Sequence, residues 1–226
     1  MPPVEFPRRR FVVGTSVASA LWCAPAVITL DRVSAATGTC GTAPVQVDWS
    51  LVAANHQPPP ATYTAADGTV VGFTSLASTS PGKHDFEVRT GNFGGLQDIL
   101  MLDMDKGGAS DYSQIQIDFD RPVTLCFTLA VVDQKQNSWE DTVSVVGTDG
   151  GTPVNLGLSD FFFFGTSTTY LGINTVRGVS EAQGGSNAGN VDVSYPAPVD
   201  RVVITYSDVT SWTKKQFVGI HDLRWC

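Results

Sequence analysis

A two-residue rhythm of apolar and polar side chains most narrows what this chain can fold into. In Gln114-Ile115-Gln116-Ile117-Asp118-Phe119, and again in Val191-Asp192-Val193-Ser194-Tyr195, apolar residues recur at every second position. Successive side chains of a strand point to opposite faces, so each segment is expected to lay one face on a core and the other toward water. Both are predicted as half-buried strands. The stretches 123–132 and 201–206 are more continuously apolar and β-branched, as expected where both faces are covered or the strand is central. Further strand segments are predicted over 45–49, 69–75, 85–89, 99–103, 142–146, 161–164 and 217–225. Asp67-Gly68, Pro81-Gly82, Gly107-Gly108 and Asp149-Gly150-Gly151 supply turns between them. Many short strands punctuated in this way point to a sandwich or a barrel. Two stretches, 53–61 with its triple proline and the Gly/Ser/Asn-rich 178–190, are read as loops, the usual seat of recognition on a rigid sandwich.

The N-terminus follows a different logic. Arg8, Arg9 and Arg10 precede an uncharged run from Phe11 to Leu30, and Val33-Ser34-Ala35 offers the small residues that a signal peptidase requires. Arg8 and Arg9, one spacer, and then Phe11 fit the twin-arginine export pattern. Gly14, Thr15, Ser16, Ser19 and Pro25 dilute the apolar run, which disfavours a permanent membrane span. Residues 1–35 are therefore expected to be an export signal, helical or disordered and cut after Ala35, with 36–226 as one mature domain. Cys23 follows the bulky Trp22, where a lipoprotein signal would carry a small residue, and is read as a bystander.

Cleavage removes four arginines (Arg8, Arg9, Arg10, Arg32) and two acids (Glu5, Asp31), taking the net charge from −8 to −10. An acidic domain repels nucleic acid and anionic lipid through its long-range field, so neither is an expected partner of the mature protein. The expected location is secreted or at the cell surface, where an extracellular polysaccharide or surface component is the expected partner. Three cysteines remain, Cys40, Cys126 and Cys226, and an oxidising exterior permits one internal bridge among them. Terminal strands of sandwiches often run side by side, so Cys40 with Cys226 is the expected pair. Cys126, set amid Val123, Leu125, Phe127 and Leu129, is read as a small buried side chain.

Asp120-Arg121-Pro122-Val123-Thr124-Leu125-Cys126-Phe127, then Val132-Asp133 and Trp139-Glu140-Asp141, repeat a cadence of strand, Pro-Val link and second strand ending in an acidic loop. Asn190 to Val199, running on through Val203-Ile204-Thr205-Tyr206 to Val218-Gly219-Ile220-His221-Asp222-Leu223, does the same. This cadence resembles jelly-roll-like domains of exported actinobacterial and other bacterial surface proteins of unassigned activity. The resemblance covers roughly residues 98–226 and implies fold more than chemistry. With the periodicity, it predicts an all-β, jelly-roll-like antiparallel β-sandwich of about ten strands.

Three kinds of site follow from side-chain chemistry. Calcium takes several oxygen ligands. One candidate set is Asp133 and Asp141 flanking a hairpin with the Asn137 amide oxygen; the other is Asp103, Asp105 and Asp111 around a Gly-rich bend. Lys106 and Lys135 oppose a cation at each. Trp139, Tyr170 and Trp212 are candidate faces for stacking on a pyranose ring, whereas Trp49 and Trp225 are read as packing residues. Jelly rolls also host glycosidases and polysaccharide lyases, so an enzyme of either kind is the alternative. The paired carboxylates of a retaining glycosidase, about 5 Å apart, have no matching motif here. Glu87-Val88-Arg89 and Gln114-Ile115-Gln116 faintly resemble lyase strand motifs, yet Gln116 stands where such a motif carries its histidine base. His84-Asp85 and His221-Asp222 are sequence neighbours and are expected to point to opposite faces of a strand, so neither is expected to form a dyad. A binding or structural module without catalytic power is the expected function.

Overall fold

In chain order the described strands are β1 (Val45–Gln46), β2 (Ala61–Thr64), β3 (Val70–Ser78), β4 (Val88–Arg89), β5 (Ile99–Met104), β6 (Tyr112–Val123), β7 (Leu125–Ala130) and β8 (Gln134–Lys135). They continue as β9 (Trp139–Asp149), β10 (Thr152–Val154), β11 (Phe161–Phe163), β12 (Thr168–Gly172), β13 (Thr175–Gly178), β14 (Val191–Ser194), β15 (Val199–Asp208) and β16 (Gln216–Trp225). Eleven of the sixteen have four residues or more, in line with the expected ten or so. Only two short 3-10 turns, Leu158–Asp160 and Asn187–Gly189, interrupt them among the described residues. The structure is a computed structural model that describes residues 44–49, 61–105, 108, 110–182, 185–210 and 215–226. The export signal, with Arg8, Arg9 and Phe11, lies outside the described residues, as do Cys40 and Trp212.

All pairings are antiparallel and build two sheets. One has seven strands in the order β11-β14-β7-β16-β5-β4, with β1 joining β16. The other has nine in the order β12-β13-β9-β15-β6-β3-β2, with β8 and β10 joining β9. Taken along the chain, β5, β6, β7, β9, β13, β14, β15 and β16 form an eight-strand series. The seven-stranded sheet sets its first, eighth, third and sixth members side by side; the nine-stranded sheet sets its second, seventh, fourth and fifth. That alternation between layers is the double Greek key of a jelly roll.

The alternation in 114–119 is realised in β6, where Ile115, Ile117 and Phe119 are buried and Gln114, Gln116 and Asp118 are half-exposed. Its inward residues meet Phe73, Val143, Val145, Val202, Ile204 and, from the facing sheet, Leu102, Phe127, Leu129, Val193 and Ile220 in one core. Burying each such side chain stabilises the fold by about 1.5–3 kcal/mol before chain entropy is counted. Trp49 and Trp225 are packing residues, 5% and 1% exposed. Cys126 is buried as expected, its Sγ 3.2 Å from Ser194 Oγ.

One strand departs from expectation. β14 was expected to be half-buried, yet all of Val191–Ser194 is buried. The reason is partnering on its outward face: Thr128 Oγ1 donates to Asp192 Oδ1, and Ser194 lies beside Cys126 on the neighbouring β7. Polar groups with partners tolerate removal from water. Strands β12 and β13 fall where no strand was expected.

Candidate functional site

The outward face of the nine-stranded sheet is assembled by the register of its central strands. Because β3, β6, β15 and β9 pair in step, Gly72, Asp118, Arg201 and Thr148 form one transverse row. Thr74, Gln116, Val203 and Val146 form the next, and Ala77, Gln114, Thr205, Ser144 and Thr175 the one after. The result is a sheet face of small β-branched, hydroxyl and amide side chains with one charged row at its end.

That charged row is internally braced. Arg201 Nε donates to Asp118 Oδ1 at 2.6 Å, and Gln116 Nε2 donates to Asp118 Oδ2 at 2.7 Å, so both carboxylate oxygens are held. The hydrogen bond that Arg201 donates to Asp118, reinforced by the carboxylate charge, raises the already high pKa of Arg201 and keeps the guanidinium charged. Gly150 N donates to Asp200 Oδ2 at 2.8 Å, tying the β9–β10 turn to the same end. This turn has positive φ at both central residues, 54° at Gly150 and 82° at Gly151, which glycine adopts at no steric cost. A cleft of about 380 Å³ opens here, bordered by Asp118, Arg201, Thr148, Asp200, the two glycines and Phe119. Its volume is in the range of small-ligand sites. Its rim offers carboxylate and hydroxyl acceptors beside guanidinium and hydroxyl donors, the complement of a polyhydroxylated molecule.

A second polar assembly is buried at one end of the sandwich. The β8–β9 hairpin brings Asp133 and Asp141 together as expected: Asp133 N donates to Asp141 Oδ2 at 3.1 Å, and Asp141 N to Asp133 O at 3.1 Å. Both carboxylates are occupied by protein donors. Trp139 Nε1 and Ala182 N donate to Asp133 at 2.7 and 2.9 Å, and Tyr206 Oη donates to Asp141 Oδ1 at 2.7 Å. Burial drives the Asp141 pKa well above the ordinary aspartate value, and it raises Asp133 as well. Asn137 stands apart at the exposed hairpin tip with φ 60°.

The other expected residues are dispersed. Asp103 accepts from His84 N at 2.9 Å, Asp105 pairs with Lys215 at 3.1 Å, and Asp111 accepts from Thr79 Oγ1 at 3.0 Å. Among the described residues, no three acidic, histidine or cysteine side chains are grouped to hold a metal ion. Trp139 is partly buried, its indole committed to Asp133 and Lys135 Nζ 5.5 Å from its ring centroid. Tyr170 turns toward the core, 5.8 Å from Phe161. Cys226 is exposed at the chain end.

The expectation that His221 and Asp222 face opposite ways is overturned. The β16–β7 register slips between His221 and Arg224, and Asp222 takes a positive φ of 51°. This bulge swings the Asp222 carboxylate to 2.9 Å from His221 Nδ1, without hydrogen-bond alignment, and 3.6 Å from Arg224 Nη1. His84 and Asp85 do diverge: His84 Nδ1 meets Glu87 at 2.9 Å while Asp85 accepts from Ser113 Oγ at 2.7 Å.

Residue-by-residue reading passed over Asp118, Arg201 and Thr148. Their signal was the polar half of each alternating strand, which becomes a site only when three strands fall into register. It also passed over Phe162 and Phe164, each 40% exposed and set edge to face at 5.3 Å, on edge strand β11 and just past its end. No family model matches the chain, and no curated protein matches it significantly.

Proposed function

We propose that the mature domain is an exported, non-catalytic binding module, secreted or cell-wall-associated, that takes neutral carbohydrate in the cleft at the end of the nine-stranded sheet. The observation that carries this reading is the braced Asp118–Arg201 pair bordering a cleft beside hydroxyl and amide rows. Sugar hydroxyls donate and accept at once, and fixed carboxylate and guanidinium groups engage both capacities. Neutral ligands are favoured because the cleft sets two carboxylates, Asp118 and Asp200, against one guanidinium, within a domain of strong negative charge. The exported location rests on the Arg8-Arg9-x-Phe11 signal.

A glycan array tests the reading. The wild-type domain is expected to bind a neutral polysaccharide. Arg201→Ala is expected to weaken that binding about tenfold or more through loss of a charge-assisted contact. Failure of the wild type on every neutral glycan, or unchanged binding by the variant, counts against it.

One observation favours the alternative, a jelly-roll lyase or hydrolase: the bulge that joins His221, Asp222 and Arg224 on the seven-stranded sheet. Release of new reducing ends or unsaturated products from a bound polysaccharide, abolished by His221→Ala, would replace binding by catalysis as the function.

A further inference from the structure

Five of the ten large apolar side chains exposed among the described residues fall between positions 158 and 173: Leu158, Phe162, Phe164, Leu171 and Ile173, each 40% to 68% exposed. The fold brings them to one side of the sandwich. Strand β11 ends the seven-stranded sheet and β12 ends the nine-stranded one, and the Phe161 and Tyr170 rings meet between them at 5.8 Å. Asn174 N donates to Leu156 O at 3.1 Å and Leu156 N to Asn174 Oδ1 at 2.6 Å, which ties the turn carrying Ile173 to the segment carrying Leu158. At those exposures the five side chains leave several hundred Å² of apolar surface. That is near the upper end for a monomer and a large share of the roughly 800 Å² that each partner of a standard interface buries.

Sheet edges that face water are ordinarily blunted by charge. The far edge of the seven-stranded sheet follows this rule: β4 carries Arg89, ion-paired at 3.4 Å with Glu87. The β11 edge does not, since no charged residue stands between Asp160 and Arg177. Its backbone is open as well. Phe164 N donates to Asn190 O at 3.1 Å, and residues of an antiparallel strand alternate between facing their partner strand and facing away, so the N–H and C=O of Phe163 point away from β14. The Phe161 N–H points the same way but turns back to Leu158 O. Phe161 and Phe163 send their side chains to the core, which leaves Phe162 and Phe164 together on the outward face.

These features select the occupant. The mature domain is strongly acidic, so a face without charge is where a second copy meets the least repulsion, whereas a charged partner finds no counter-ion there. An open antiparallel edge is also self-complementary about a two-fold axis.

We infer that the β11 edge is a self-association face: two copies of the chain meet about a two-fold axis at Phe163, whose backbone groups exchange hydrogen bonds with those of the second copy, and Phe162 of each packs on Phe164 of the other. With three residues in the strand, the pair is held by apolar burial more than by backbone bonds.

Sedimentation of the full chain over a concentration series, under reducing conditions so that the exposed Cys226 cannot link chains, tests the face. A dimer is expected. Phe164→Lys, which sets an edge lysine against Phe162 of the second copy, is expected to weaken it at least about tenfold. Cross-linking reads the register and decides the matter should that variant fold poorly. Chains carrying Phe162→Cys and chains carrying Phe164→Cys, each with Cys226→Ser, are expected to gain a disulfide dimer when mixed and oxidised that neither gains alone, because the two positions lie opposite each other across the axis. A monomer throughout the series, a dimer that Phe164→Lys leaves intact, or no cross-link specific to the mixture overturns the face. A monomer whose Phe162 and Phe164 amides shift on adding a neutral glycan overturns it in favour of sugar.

Discussion

Two aspartates at different places in this molecule show opposite physics. At the 65–69 turn, desolvation works against the Asp67 charge, yet it is outweighed by donors: Thr69 N and Oγ1 at 3.0 and 2.8 Å, the Trp225 indole at 3.2 Å, and the Arg121 charge. Together these hold its pKa down to about 2. At the opposite extreme, Asp141 has two donors and two neighbouring carboxylates, and burial drives its pKa up. The difference teaches that acidic residues in this domain serve two purposes. Those at the surface, Asp67 and Asp118 among them, brace turns and rows as acceptors; Asp141, wholly buried beside two carboxylates, resists ionisation.

The largest expected effect breaks the buried aspartate corner where Gly178 packs on the Asp133 backbone. Gly178→Ala places a methyl group against the Asp133 backbone, and denaturant unfolding is expected to show a loss of about 3 kcal/mol or more. Full stability in that variant would mean that the contact between Gly178 and Asp133 is looser than described. Next comes Tyr206→Phe, which removes the hydroxyl donor from Asp141 and is expected to cost about 1–3 kcal/mol, more at alkaline than at acidic pH. An equal loss at both extremes would separate the tyrosine from the charge on Asp141.

The smallest effect lies at the turn and has the opposite sign in pH. Asp67 has a depressed folded pKa, so its stabilisation is present above the ordinary value of 3.8 and is lost as pH falls through about 2. Asp67→Asn is expected to lower stability near neutrality by under about 1 kcal/mol and to flatten the acid limb of the stability curve. Asp141 has a raised folded pKa, so its contribution is full below the ordinary value and is lost as pH rises through the folded one. Thermal melts across pH that show both variants bending the same limb would erase the contrast.

Much of the fold was legible because burial has a period. Ile115, Ile117 and Phe119 announced both the strand and its inner face, and Asp149-Gly150-Gly151 announced its turn. β12 and β13 were not legible: Thr168–Gly172 and Thr175–Gly178 are rich in threonine and glycine, and only Val176 is a fully buried apolar residue, so they carry little apolar rhythm. β14 was misjudged because the alternation of Asp192 and Ser194 marks polarity and not exposure; a cross-strand partner such as Thr128 can satisfy a buried carboxylate. Asp222 was misjudged for a related reason, since period-two reasoning assumes an unbroken register and a bulge breaks it. The corner was half legible. Sequence spacing put Asp133 and Asp141 on one hairpin, but Asp208 and Tyr206 reach them from 65 or more residues away, through strand pairing that no local pattern encodes. The cleft was the least legible part, because each of its residues is an ordinary polar position until β6, β15 and β9 align.

The most direct test of the binding reading is an amide chemical-shift map of the domain titrated with the neutral glycan that it binds on the array. The shifts are expected to concentrate at Gln116, Thr148, Gly150 and Arg201. Shifts gathered around Phe162 and Phe164 on the other sheet, or none anywhere, would contradict the assignment of the cleft.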